Sequence, residues 1–142
     1  MKKADEDFEK FVKNLQNEIN QEEMRIFSKN VIEEYHNPKN LGKMNDSNAH
    51  AIIKGPCGDT MEIYLKIKNN IIIESSFFTD GCGPSIACGS KLTTLLKNKS
   101  IIKIKKITPK DLLDALDGLP LENEHCALLA VNTLHKALDN FK

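Results

Sequence analysis

Apolar residues recur at helical spacing from the start of the chain. Phe8, Phe11, Val12, Leu15 and Ile19 fall on one face behind Asp5, Glu6 and Asp7, an acidic first turn that suits a helix N-terminus. A second periodic run sets Met24, Phe27, Val31 and Tyr35 together. It stops at His36-Asn37-Pro38, because the residue before proline avoids helical dihedrals. The period then changes from helix to strand. Residues 51–53 are a first short strand, and Met61, Ile63, Leu65 and Ile67 alternate with Glu62, Tyr64, Lys66 and Lys68, a strand with one wet face. Asn69-Asn70 turns into a further strand over 71–79, so these two runs read as a hairpin. Helical spacing returns after Pro84 with Ile86, Leu92, Leu95 and Leu96. Residues 101–107 fit either a strand or a short helix. Residues 111–116 read as a short helix closed by Gly118. The last helix is expected to use Asn123 as its cap and to bury Leu128, Val131, Leu134, Leu138 and Phe141.

Composition narrows the class of function. A chain of 142 residues is normally one domain with a sufficient core of its own. Lys plus Arg equal Asp plus Glu at 20 each, so no overall field draws in nucleic acid or an anionic membrane. Residues 97–110 hold six lysines and no acid, but without interleaved aromatics they read as a solvated face. The opening Met-Lys-Lys-Ala runs into acids rather than an apolar stretch, which argues against a secretory leader. No run approaches the ~18 apolar residues of a membrane span. With four cysteines and no sign of secretion, free or metal-bound thiols and a cytoplasmic location are expected.

The cysteines carry the chemistry. Cys57 lies in Gly55-Pro-Cys-Gly-Asp59, Cys82 between two glycines before a helix, and Cys126 beside His125 near the start of the last helix. Glycines allow close approach to a sulfur, and free amides at a helix start favour a thiolate. Thiolate, carboxylate and imidazole together form a ligand set for a soft metal or an iron–sulfur cluster. Each residue also has a plainer reading, as turn residue, cap or core filler. Asp59 adds an oxygen donor that holds a soft metal less firmly than sulfur, which suits a site that releases its cargo. His125 points about 100° away from Cys126 on a helix, a poor placing for a base acting on that thiol, although it can bind a shared metal or donate to sulfur. Cys88 falls on another face of its helix and is assigned to packing. His36, His50 and His135 read as surface or loop residues.

Four stretches, in order, carry a resemblance. Tyr35-His-Asn-Pro-Lys-Asn-Leu-Gly42, Gly55-Pro-Cys-Gly-Asp-Thr-Met61, Thr79-Asp-Gly-Cys-Gly-Pro-Ser-Ile-Ala87 and His125-Cys126 with the terminal helix match the IscU/NifU-type iron–sulfur cluster assembly scaffolds. The resemblance covers roughly residues 28–142 and leaves 1–27 as a helical extension, for dimer contacts or for covering the core. It implies an α+β fold of the SufE/NifU-like kind, a three-stranded antiparallel sheet with helices packed against it. It implies a non-enzymatic platform that takes sulfur from a cysteine desulfurase, combines it with iron, holds a [2Fe–2S] cluster or zinc, and passes the cluster to acceptor proteins. Cys57, Cys82 and Cys126, with Asp59 or His125, are the implied ligands, and Cys126 the implied persulfide acceptor. One departure matters. Where many members carry Leu-Pro-Pro-Val-Lys, this chain has Leu119-Pro-Leu-Glu-Asn123, which argues against dependence on a dedicated Hsp70-type chaperone. A small structural zinc protein and a thiol-based sulfurtransferase are the alternatives from other classes.

Overall fold

The computed structural model describes residues 2–56 and 58–141, so Cys57 lies outside the described residues. Helix α1 (Lys2–Ile26) leads into α2 (Lys29–His36), followed by strands β1 (Ala49–Lys54), β2 (Thr60–Lys68) and β3 (Ile71–Thr79). Helices α3 (Gly83–Leu96), α4 (Ile101–Ile104), α5 (Pro109–Ala115) and α6 (Glu124–Asp139) complete the order, with a 3-10 turn at Leu121–Asn123 before α6. This is the expected α+β arrangement: one antiparallel sheet in the order β1-β2-β3, with helices packed against it.

Alternation along β2 sets the layers. Met61, Ile63, Leu65 and Ile67 point into the core, where Phe77 of β3, Leu92 and Leu96 of α3, and Leu134 of α6 are also buried. The hairpin joining β2 to β3 turns at Asn69 and Asn70, both in the left-handed region at φ 55° and 63°, as a tight two-residue connection requires. On the opposite face the segment 41–48 crosses the sheet. Lys43 reaches Glu62 at 3.7 Å, Lys66 reaches Asp46 at 2.7 Å, and Asn48 pairs with the backbone of Ile67 at 2.7 and 2.8 Å. The wet face of β2 is therefore partly covered, and Glu62 is buried.

Some expectations are corrected. Two separate periodic runs were expected before residue 36, but α1 continues to Ile26, because the polar stretch around residue 20 interrupts its apolar stripe without breaking the helix. The break comes at Ser28, whose hydroxyl accepts from Val31 N at 3.1 Å and donates to Leu116 O at 2.5 Å, capping α2 and tying it to α5. The stripe of α1 does not cover the core: Phe8, Phe11, Val12, Leu15 and Ile19 are 45–67% exposed. Residues 101–104 are the short helix, capped by Ser100. Leu128 is exposed, since α6 turns a face built on Ala127, Ala130 and Ala137 to its neighbours, and these small residues allow close packing. His135 is half-buried on α6 rather than a surface residue.

Candidate functional site

Three chain segments meet at one end of the sheet. The β1–β2 connection is a tight loop in which Gly55 N donates to Asp59 O at 2.7 Å and Gly58 N to Gly55 O at 3.0 Å. Gly58 has φ +90°, a conformation that side chains rarely adopt, so glycine is needed there. The loop delivers Asp59. From β3, the chain passes through Gly81 to Cys82, the N-cap of α3 in extended conformation (ψ −175°), whose side chain is exposed and makes no cap hydrogen bond. Helix α6 brings His125 and Cys126 in its first turn, and Cys126 is only 1% exposed.

Ser85 sits where these segments converge. Its hydroxyl lies 3.4 Å from Cys126 Sγ and 3.5 Å from Asp59 Oδ2, and the residue is itself buried. Sequence reasoning passed over Ser85. The available signal was its place three residues after Cys82 in a helix that Cys82 opens, which puts both on neighbouring positions of one face. Gly81 explains itself here: a Cβ would stand 2.6 Å from Ser85 Oγ and 3.0 Å from Asp59 Oδ2. Gly83 is held under the ring of Tyr35, 2.7 Å from where a Cβ would be, so α2 packs directly on the start of α3.

The structure thus brings Asp59, Cys82, His125 and Cys126 into one neighbourhood, with Cys57 outside the described residues. Among the described residues, no three His, Cys, Asp or Glu side chains close into a ready-made metal cage. Two thiols, a carboxylate and an imidazole are a donor set that fits a soft-metal cargo, and Gly81 leaves a gap that a side chain would fill.

Two corrections concern the thiols. Burial pushes the Cys126 thiol above its ordinary value; the Ser85 hydrogen bond opposes this, while Cys82 and Asp59 add to the rise. Desolvation outweighs the helix start that was expected to stabilise the thiolate. His125 is better placed than its angular offset indicated: its ring swings back until Nε2 lies 3.7 Å from Cys126 Sγ. Cys88 is fully buried in the core, as expected, and burial raises its thiol strongly, with smaller contributions from Cys126 and Cys82.

Known proteins resemble this chain over most of its length. The model of the NifU-like N terminal domain matches residues 26–142. The iron-sulfur cluster assembly scaffold protein IscU 1 of Archaeoglobus fulgidus is 38% identical over 117 residues, 82% of this chain and 76% of that protein. The scaffold protein IscU of Aquifex aeolicus is 36% identical over 118 residues, 81% of this chain and 75% of that one. Among solved structures, a NifU-like N-terminal protein from Brucella abortus superposes with a TM-score of 0.65 at 15% identity, covering 80% of this chain and 92% of that one, which speaks for the fold alone. By the matched model and by these identities, the chain belongs to the NifU-like N-terminal domain family.

Proposed function

We propose that this protein is a scaffold for iron–sulfur cluster assembly, a platform rather than a catalyst, with residues 28–142 as the scaffold domain. The observation that carries this reading is the meeting of Asp59, Cys82, His125 and Cys126 around Ser85, in a chain whose relatives are named as such scaffolds. The cluster, a [2Fe–2S] unit, is cargo. Cys57, Cys82 and Cys126 supply its sulfur ligands, with Asp59 or His125 completing the set. Zinc suits the same donors.

Cys126 takes the sulfur. Its thiolate attacks the outer sulfur of a persulfide on a cysteine desulfurase. A new S–S bond forms on Cys126, the donor S–S bond breaks, and the desulfurase cysteine leaves as thiolate. Cys126 is nearly enclosed, so transfer requires its sulfur to be uncovered to the donor persulfide, while exposed Cys82 meets solvent directly. The 3.7 Å contact between His125 Nε2 and the Cys126 sulfur supports a role for His125 as donor to that sulfur. Asp59, the oxygen donor, keeps the cargo exchangeable for acceptor proteins. Neither nucleic acid nor membrane is a partner in this reading; no helix of the described residues is long and apolar enough to cross a membrane. The location is cytoplasmic, and the chain does not depend on a dedicated Hsp70-type chaperone.

Residues 1–27 form the extension. Its exposed stripe serves contact with a second copy: Phe8, Val12, Leu15 and Ile19 recur at spacings of 4, 3 and 4, the seam of a two-helix coil. In an antiparallel pair Phe8 meets Ile19 and Val12 meets Leu15.

Anaerobic reconstitution with iron, cysteine and a desulfurase tests the function. Stoichiometric iron and acid-labile sulfide are expected in the parent, and their loss is expected in Cys57→Ala, Cys82→Ala and Cys126→Ala alike. Retention of cargo by all three variants, or a parent preparation that binds only inert zinc, overturns the reading.

A further inference from the structure

Ser85 is a buried side chain in contact with both an oxygen donor and a sulfur of the site, and nothing in the site's metal chemistry requires it. A serine hydroxyl has a single proton to donate. Here two acceptors lie at almost equal distance from it, Cys126 Sγ at 3.4 Å and Asp59 Oδ2 at 3.5 Å. The sulfur contact has the ordinary length of a hydroxyl–sulfur hydrogen bond and the carboxylate contact is long for oxygen, so the proton leans to sulfur while Asp59 stands close enough to compete for it. The hydroxyl cannot escape to water, because the residue is buried. The missing Cβ of Gly81 is what leaves the hydroxyl its room, since a Cβ there would stand 2.6 Å from Ser85 Oγ.

We propose that Ser85 is a positioning residue that shares one hydroxyl proton between Asp59 and Cys126, so that the carboxylate and the sulfur compete for it. When Asp59 turns towards cargo, the proton passes to the Cys126 sulfur. When Asp59 lets go, Ser85 takes the carboxylate back and the sulfur loses its hydrogen bond. Ser85 therefore links the two groups and biases Asp59 towards release. This role in cargo release rests on the scaffold reading above, whereas the shared proton itself does not.

The decisive measurement uses the metal-free protein. The infrared S–H stretching band of Cys126 is identified by its loss in Cys126→Ser, at a mildly acidic pH where thiols are protonated. Ser85→Ala is expected to move the band one way, and Asp59→Ala to move it the other way, because the freed hydroxyl then serves only the sulfur. Asp59 also acts on the sulfur directly through its charge, so the double variant is expected to keep only that direct part, and removing Asp59 shifts the band less in the Ser85→Ala background than in the parent. A band unmoved by Ser85→Ala, or an Asp59→Ala shift of the same size in both backgrounds, overturns the proposal; thermal unfolding of each variant confirms that it is folded. With cluster loaded, transfer to an acceptor is expected to slow roughly fivefold in Ser85→Ala, the scale of one lost hydrogen bond, and to show no further change in the Asp59→Ala background. Additive effects on transfer count against the linkage. Should no cluster assemble on the parent, the scaffold reading fails, and the infrared result still decides the shared proton.

Discussion

Two buried serines of α3 stand less than two turns apart and live in opposite circumstances. Ser90 is saturated. Its hydroxyl donates to Glu34 and accepts from Lys39 N at 2.8 Å, while Glu34 also meets Lys39 at 3.3 Å and Lys91 at 3.5 Å. Ser85 is less committed, with one proton, a sulfur at ordinary hydrogen-bond distance and a carboxylate at the long limit. In the first setting the Ser90 proton and the Glu34 carboxylate both find partners, with two lysines facing the one carboxylate, so the group ties α2 to the middle of α3. In the second, the polar groups are left with unused capacity facing one another. A fully satisfied buried network serves rigidity, whereas an incompletely satisfied one is free to exchange partners. That difference separates the fastening of this fold from its site.

The comparison breaks most severely at Glu34. Replacing it by alanine leaves Ser90 without its acceptor and Lys91 without its carboxylate, while half-exposed Lys39 turns to water, and Glu34→Ala is expected to cost about 3 kcal/mol in denaturant unfolding while leaving cluster loading intact in the folded fraction. A smaller effect sharpens the contrast between the serines themselves. Ser90→Ala removes a charge-assisted hydrogen bond from a buried carboxylate and is expected to cost about 2 kcal/mol, whereas Ser85→Ala is expected to cost less than about 1 kcal/mol. Equal losses for the two serines would erase the distinction.

Acidification gives the mildest test. Burial pushes the Glu34 carboxyl upward, but the Ser90 hydrogen bond and the neighbouring Lys39 and Lys91 outweigh it and hold the group below its ordinary value of 4.5. A carboxyl lowered in the folded state adds stability that is fully present above its unfolded value and is lost as pH falls through the folded one. Stability is therefore expected to decline below about pH 4.5, and Glu34→Gln, which keeps the shape, to make that decline shallower when unfolding is followed against pH.

Much of the framework was legible in the residues. The alternation of Met61, Ile63, Leu65 and Ile67 marked the buried face of β2, and Asn69-Asn70 marked the hairpin turn, because both signals are local. Glycine-flanked Cys82 was legible as the opening of a helix for the same reason. The end of α1 was misjudged, since a polar interruption in a stripe looks like a helix end until Ser28 is seen tied to Leu116 across the chain. Leu128 was misplaced because periodicity marks a face without showing how wide it is; the alanines of α6 set that width.

What the sequence determined by itself was the order of elements, the family to which they belong, and a short set of residues able to hold a soft-metal cargo. Those follow from short-range sterics, hydrophobic period and donor chemistry, which reside in the residues themselves. Tertiary structure decided that Asp59, Cys82, His125 and Cys126 share one neighbourhood, that burial lifts the Cys126 thiol, and that Ser85 stands between carboxylate and sulfur. The reason is physical: a hydroxyl acquires its acceptors, and a thiol its surroundings, from segments 26 and 41 residues away in the chain, and no local pattern encodes those distances.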